Sequence, residues 1–390
     1  MIDPVTLAAQ YSRFGVGGRI LLTGHSHQAW PDVAFEGQQE AWLDAAALVD
    51  DKWGRAMEVA DEVASHWRRL LGGIDGEIAL GQNTHELMLR VLSSLDWRRR
   101  GGGARLVTTD GEFHTLRRQI DRLAEEGVEV AKVPARPVAS LAERLSAEVT
   151  PGTLAVFVST VLFETAEIVP GLDVVARACE REGAVLVVDA YHHINAVPFD
   201  ATHGLRGAFV VGGGYKYCQL GEGNCFLRVP PDVDSRPVIT GWFSEFAELA
   251  EAKGPGDVRY GVGAARWAGS TYDPTSHYRA RAVFRFFQER GMTPEALRET
   301  SVRQVARLAD TIERLDLDPG VARVAVAEPE ARAGFLAIET PHAGELVTSL
   351  RARGVWTDSR GRYLRLGPAP YVTDAQLDEA VGHLGELLSR

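Results

Sequence analysis

A lysine stands between two tyrosines in the stretch Gly214-Tyr215-Lys216-Tyr217-Cys218-Gln219-Leu220-Gly221-Glu222-Gly223-Asn224. Apolar runs flank it, at 208–211 and 225–229, and each reads as a buried strand. Crowding and apolar neighbours lower a lysine pKa, and an unprotonated amine attacks a carbonyl carbon. The plainer alternative is that the rings cover the lysine stem while its head reaches water. Asp189 closes another apolar run, 184–188, with His192 just beyond it. Asn83 and Thr84 lie in a polar turn between a strand at 78–80 and a helix through Leu87 and Val91. Such a turn caps a helix and also offers free N–H groups and a hydroxyl to an anion. Phe113, within Glu112-Phe113-His114-Thr115, offers a flat face for stacking. Taken singly, Asp189 could be a capping acid and His192 a core histidine.

The elements that must position these groups alternate from residue 105 to 229. Strands are expected at 105–108, 128–133, 154–159, 184–189 and 208–211, with helices at 114–123, 141–148 and 174–182 between them. That order indicates an α/β chain built on a mostly parallel sheet with helices on its faces. Ligands of such sheets sit beyond the carboxyl ends of the strands, where Asp189 and Lys216 both fall. An amphipathic helical stripe, Val59, Val63, Trp67 and Leu70, precedes the sheet. Residues 230–275 are irregular and rich in proline and glycine, a pattern expected to cross to a partner subunit. Beyond them, helices at 278–290, 296–314, 344–352 and 374–388 and strands at 334–338 and 363–366 predict a smaller second domain.

Composition sets the class. The chain has 390 residues, 45% hydrophobic and 24% charged, with a formal net charge of -11. That is an ordinary soluble composition with no basic surface for nucleic acid. The three cysteines, Cys179, Cys218 and Cys225, lack zinc or disulfide spacing. With no signal-like N-terminus and no apolar run of membrane-spanning length, a cytoplasmic protein is expected, with no membrane and no metal.

Together the groups at the sheet edge suit one cofactor, pyridoxal 5'-phosphate. Its phosphate needs a helix N-terminus and hydroxyls, its ring a stacking face, its pyridine nitrogen a carboxylate, and its aldehyde a lysine. At these residues the chain resembles a known family, kynureninase, within the class V aminotransferase superfamily of fold-type I enzymes. The resemblance spans nearly the whole chain. It is carried by Leu22-Thr23-Gly24-His25-Ser26 with Pro31, by Phe113-His114-Thr115, and by Asp189-Ala190-Tyr191-His192. Further on it is carried by Tyr215-Lys216-Tyr217 with Gly221 and Gly223, by Gly241-Trp242-Phe243, and by Leu364-Arg365-Leu366 with Pro370-Tyr371. The tyrosine before the lysine is the most specific element, because most class V aminotransferases and desulfurases carry histidine there.

The resemblance implies a large domain, 51–275, with a seven-stranded, mostly parallel sheet. It also implies a smaller α+β domain, 276–390, and an N-terminal segment, 1–50, packed with the small domain. It implies Lys216, Asp189 and Tyr215 as catalytic residues. Asn83, Thr84, Phe113, His192, Trp242 and Ser270 would join them around the cofactor. Arg365, His25, Ser26 and Thr271 would meet an amino-acid substrate, and the protein would be a homodimer. The implied reaction is a hydrolytic Cβ–Cγ cleavage that releases alanine. An aminotransferase, a β-eliminating lyase and a non-catalytic cofactor-binding protein are the alternatives. No cysteine follows Cys225, so a desulfurase's late catalytic cysteine has no counterpart. The chain departs from the kynureninase pattern at Leu116, at Phe163-Glu164-Thr165-Ala166, at Ser244-Glu245 and at Ser270-Thr271-Tyr272-Asp273, on the substrate side rather than the cofactor side.

Overall fold

The computed structural model describes residues 2–98, 104–231, 233–249 and 254–389. Its strands are β1 (Ile20–Leu21), β2 (Glu77–Gly81), β3 (Arg105–Thr109), β4 (Glu129–Val133), β5 (Thr153–Ser159), β6 (Val185–Asp189), β7 (Phe209–Gly213), β8 (Cys225–Val229), β9 (Arg323–Val324), β10 (Leu336–Glu339), β11 (Val355–Trp356), β12 (Asp358–Arg360) and β13 (Tyr363–Leu366). Its helices are α1 (Pro4–Ala8), α2 (Val33–Leu48), α3 (Lys52–Leu70), α4 (Thr84–Ser94), α5 (His114–Glu125), α6 (Leu141–Ala147), α7 (Leu172–Glu182), α8 (Thr275–Glu289), α9 (Pro294–Glu313), α10 (Ala343–Arg351) and α11 (Asp374–Leu388).

The large sheet has seven strands in the order β2-β8-β7-β6-β5-β3-β4. All pairs from β7 to β4 are parallel, while β8 runs antiparallel to both β7 and β2. β8 is therefore the one reversed strand, and β2 points the same way as the rest. Every residue of β5 is buried, because both faces of the sheet are covered. Alternate side chains serve alternate faces. Val156, Val158, Leu186, Val188 and Val210 pack with Trp67 of α3, Leu145 of α6 and Val175 of α7. Ala155, Phe157, Val187, Phe209 and Val211 pack with Leu87 and Val91 of α4 and Ile120 of α5.

A second sheet, β12-β13-β10-β9, is antiparallel throughout and belongs to the C-terminal part of the chain, with α9, α10 and α11. The N-terminal segment joins this part, because β1 pairs in parallel with β11. α8 lies against α2 and α3, with the ring of Phe284 stacked 4.7 Å from His66 and edge-on to Trp67. The short strands β1, β9, β11 and β12 carry too few residues to show a period and had no expectation in the sequence. Among the described residues, no helix is long and apolar enough to cross a membrane.

Candidate active site

The strands β2, β3, β5, β6 and β7 all end at one edge of the large sheet, and the reversed β8 begins there. A cavity of about 440 Å³ opens at this edge, lined by the residues that follow those ends. β2 leads to Asn83 and Thr84, β3 to Phe113, β5 to Ser159 and Phe163, β6 to Asp189, Tyr191 and His192, and β7 to Tyr215 and Lys216. The structure thus brings together seven of the residues expected around a cofactor: Asn83, Thr84, Phe113, Asp189, His192, Tyr215 and Lys216. At the start of α4, Asn83 caps the helix by accepting from the N–H of Glu86 at 3.0 Å, and Thr84 carries its hydroxyl at the cavity wall. Capping and anion reception are therefore compatible at one turn.

Lys216 is 6% exposed, so its head does not reach bulk water through the rings. Its Nζ lies 2.6 Å from Nε2 of His192, and within 4.5 Å, 5.5 Å and 5.6 Å of the ring centroids of Tyr191, Tyr215 and Phe113. Burial lowers its pKa from 10.5 to about 7; the charge of Asp189 opposes the shift and that of Arg365 adds to it. Burial likewise holds His192 well below its usual value, helped by the charges of Lys216 and Arg365. Asp189 shifts the other way. Burial raises its pKa, against the N–H of Tyr191, which donates to Oδ1 at 2.8 Å, and the charge of Lys216. A poorly hydrated amine facing a poorly hydrated carboxyl is the setting in which both groups are ready for a new partner.

The lysine hairpin is fixed from outside. Gln219 adopts a left-handed conformation with φ 58°, which is strained for a side-chain-bearing residue. Its amide is fully buried; Oε1 accepts from the hydroxyl of Tyr11 at 2.5 Å, and Nε2 donates to Gln28 at 2.7 Å. Gly221 has φ 67°, and a Cβ there would stand 2.5 Å from the indole of Trp30. The N-terminal segment therefore bolts onto the lysine hairpin as well as onto the smaller sheet.

Sequence reasoning passed over several groups here. Glu112 is buried behind the cavity; it accepts from the Oγ1 of Thr109 at 2.7 Å and the Oγ of Ser159 at 2.6 Å. Burial lifts its pKa to about 7 despite those bonds, with the charge of Asp189 adding to the rise. Phe163 crosses Phe113 edge-on at 5.4 Å and supplies an aromatic wall. Asp358 was also passed over. Its place opposite Arg365 in a short hairpin, Asp358 to Arg365 around Gly361, was the available signal.

Other expected contacts differ. His25 is sealed from solvent and, like Arg365, is not among the residues lining the cavity; its Nε2 lies 2.7 Å from Oδ1 of Asp358. Burial, with the charge of Arg365, lowers its pKa to about 4, against the pull of Asp358. The hydroxyl of Ser26 is 3.0 Å from Nδ1 of His27, outside the cavity lining. Arg365 is not a free cation. Its Nε donates to Oδ1 of Asp358 at 2.9 Å, its Nη2 to Oδ2, and its Nη1 to the carbonyl of Phe163 at 2.6 Å. Trp242, Ser270 and Thr271 also lie off this chain's cavity. The indole of Trp242 donates to Oγ1 of Thr271 at 3.1 Å, and both sit on an exposed surface with Ile239, Phe246 and Leu249. Among the described residues, no group of three or more His, Cys, Asp or Glu is placed to hold a metal ion.

The residues present fit pyridoxal phosphate. Lys216 offers an amine whose pKa burial lowers to about 7, so a substantial fraction is neutral at that pH, and among the described residues the buried Nδ1 of His192 has no partner. Asp189 offers a carboxyl, Phe113 a ring face, and Thr84 with the α4 N-terminus an anion site, all on one cavity of ligand size.

The chain is similar to several known proteins. Residues 297–384, which contain Asp358 and Arg365, match the kynureninase C-terminal domain. An uncharacterized aminotransferase of Bacillus subtilis strain 168, YcbU, is 22% identical over 93% of both chains. Among solved structures, the chain superimposes on a C-DES mutant with glycine covalently linked to its pyridoxal phosphate cofactor. The TM-score is 0.84 at 16% identity, over 97% of this chain and 98% of that one. The apo cysteine desulfurase of Thermococcus onnurineus NA1 gives 0.83 at 16% identity, over 100% and 99%. The fold is the fold-type I architecture of these enzymes. The chain is thus similar to kynureninase over residues 297–384 and to an aminotransferase over nearly its whole length.

Proposed function

We propose that this protein is a pyridoxal phosphate enzyme acting on an α-amino acid, a kynureninase-like hydrolase that cleaves a Cβ–Cγ bond and releases alanine. The observation that carries the reading is Lys216, buried at the ends of parallel strands with His192 against its amine and Asp189 across the same cavity. The bound cofactor would supply an aldehyde for the substrate amine and a ring that stores the electrons left when a Cα bond breaks.

The chain's own residues would do the rest. Thr84 and the N-terminus of α4 would hold the phosphate, and Phe113 would cover one ring face. Asp189 would keep a proton on the pyridine nitrogen. Lys216, displaced by the substrate amine, would take the Cα proton on Nζ. Arg365 would hold the substrate carboxylate, and Tyr215 would return a proton from its hydroxyl. In the hydrolysis, water adds to the γ-carbonyl and the Cβ–Cγ bond breaks. The acyl half leaves as a carboxylic acid, and the Cβ carbon takes a proton to become the methyl of alanine. The apolar walls, Phe113, Phe163 and Tyr191, would limit water to what the reaction consumes.

A homodimer belongs to this reading. Trp242, Ser270 and Thr271 share an exposed apolar surface away from this chain's cavity, which supports their reaching the site of a second copy. The sedimentation of the purified protein tests that. Two other reactions stay in view. Transamination is favoured by the description of the Bacillus relative as an aminotransferase, and β-elimination by a fold neighbour described as a cystine C–S lyase, with TM-score 0.81 at 17% identity.

The test is direct. Wild-type protein and Lys216→Ala are mixed with pyridoxal phosphate, and the visible spectrum is followed as L-kynurenine and 3-hydroxykynurenine are added. A band in the wild type alone, with alanine and an anthranilate as products, is the expected result. Pyruvate with ammonia would indicate elimination, and stoichiometric amination of the cofactor transamination. The same band in Lys216→Ala would overturn the reading of the site.

A further inference from the structure

The guanidinium of Arg365 has five N–H groups. Three are engaged: Nε and one on Nη2 with the two oxygens of Asp358, and one on Nη1 with the carbonyl of Phe163. One N–H on each of Nη1 and Nη2 is left. The side chain is only 3% exposed and is not itself in the cavity lining, but the residue whose carbonyl its Nη1 holds, Phe163, lines the cavity.

Asp358 is held in turn. Oδ1 also lies 2.7 Å from Nε2 of the sealed His25, and Oδ2 lies 3.7 Å from Nη1 of Arg360. Burial alone would raise the Asp358 pKa, but the hydrogen bond to His25 and the bonds and charge of Arg365 outweigh it and hold the carboxyl well below the usual range. The carboxylate is therefore favoured in its charged form and fixed from several sides. Two arginines surround this single anion, and among the described residues no other carboxylate lies within salt-bridge distance of either. One positive charge is left over, which an arriving carboxylate can neutralise.

We propose that Asp358 is a positioning residue: it occupies the Nε edge of Arg365 and so presents the remaining Nη1 and Nη2 donors as a fork for the α-carboxylate of the substrate. This rests on the reading of the cavity as an amino-acid site. A guanidinium clamped on one edge loses little freedom on binding at the other, and a bidentate contact demands that the plane be set in advance. His25 acts one step further back, by fixing Asp358.

The test uses the holoprotein reconstituted with pyridoxal phosphate. The visible spectrum is titrated with L-alanine and, separately, with ethylamine, which is L-alanine without its carboxylate. Asp358→Asn should raise the half-saturating L-alanine concentration by about tenfold or more. It should leave the ethylamine value unchanged, which a general structural defect would not do. Arg365→Lys should act in the same direction, and the Asp358→Asn/Arg365→Lys double variant should be no weaker than Arg365→Lys alone. Equal losses for both ligands, no loss for either, or losses that multiply in the double variant would each overturn the inference. If Asp358→Asn does not fold, His25→Gln carries the test: a selective loss for L-alanine is expected, and equal change for both ligands refutes it. A wild-type protein that takes up no pyridoxal phosphate would overturn the site reading and this inference with it. Uptake without the selective loss overturns the inference alone.

Discussion

Nζ of Lys216 and Nε2 of His192 are 2.6 Å apart in a setting that leaves both groups poorly hydrated. The lysine is thereby held at about 7 rather than at its ordinary 10.5. An unfolded chain takes up a proton on this amine anywhere below about 10.5, whereas the folded chain does so only below about 7. Between those values the unfolded state binds more protons, so the stability that depends on Lys216 rises with pH. Cofactor-free wild type should gain thermal stability relative to Lys216→Met as pH is raised from 7 to 10. A pH-independent difference in melting temperature would contradict this.

The same neutral amine should set the rate at which the protein captures its cofactor. Uptake of pyridoxal phosphate, followed by stopped-flow absorbance, should slow as pH falls through about 7, because protonation removes the attacking lone pair. A rate that continues to climb with pH as for a free lysine, levelling only near 10.5, would count against it.

Glu112 gives the opposite sign. Its folded pKa, about 7, lies above its ordinary 4.5, so the folded state binds more protons between the two and stability is lost as pH rises through that window. Glu112→Gln cannot ionise and should melt higher than wild type at pH 8, with the gap closing towards pH 4.5. Calorimetry across that range decides; a gap that widens at low pH would sink the idea.

Asp189→Asn should still take up cofactor, because Lys216 and the α4 N-terminus remain. Turnover should fall by about 10²–10⁴-fold, since an amide cannot hold a proton on the ring nitrogen. Parallel measurement of uptake and kcat separates the two; loss of uptake with unchanged kcat per bound cofactor would assign Asp189 a merely structural place.

Phe157 lies at the centre of β5 and is wholly buried. Phe157→Ala should cost about 3–5 kcal/mol, read as a lowered urea midpoint. A loss below about 1 kcal/mol would mean that the helices on that face close over the gap.

Much of this was legible in the chain because local pattern and tertiary role coincide. β5, β6 and β7 are continuous apolar runs, and the end of each run marks the sheet edge, so Asp189 and Lys216 declared their position through their neighbours. Helix ends were legible too: Thr373 caps α11 with Gln376 in a reciprocal box, at the expected start of that helix. The substrate side was not legible in the same way. The partner of Arg365 stands opposite it across a hairpin, and β12 is too short to show a period. His25 reads as a polar loop residue, yet α-carbon geometry at Gly367 lets it sink into the protein; a Cβ at that glycine would stand 2.2 Å from its Nδ1. Trp242, Ser270 and Thr271 lie in an irregular segment whose position depends on long-range contacts that no local pattern encodes.

The reversal of β8 has a mechanical consequence. Since β8 starts where β7 ends, the segment carrying Lys216 is a closed loop, shut by the bond from the N–H of Gly214 to the carbonyl of Asn224 at 2.8 Å and laced by Leu220 to Gly214 at 2.9 Å. Tyr11 and Gln28 anchor its far side through Gln219. A loop tied at its base and its tip has no slow hinge of its own. Its amide hydrogens should exchange only as fast as those of the surrounding strands, and the reactive amine should lose its place only when the sheet itself opens.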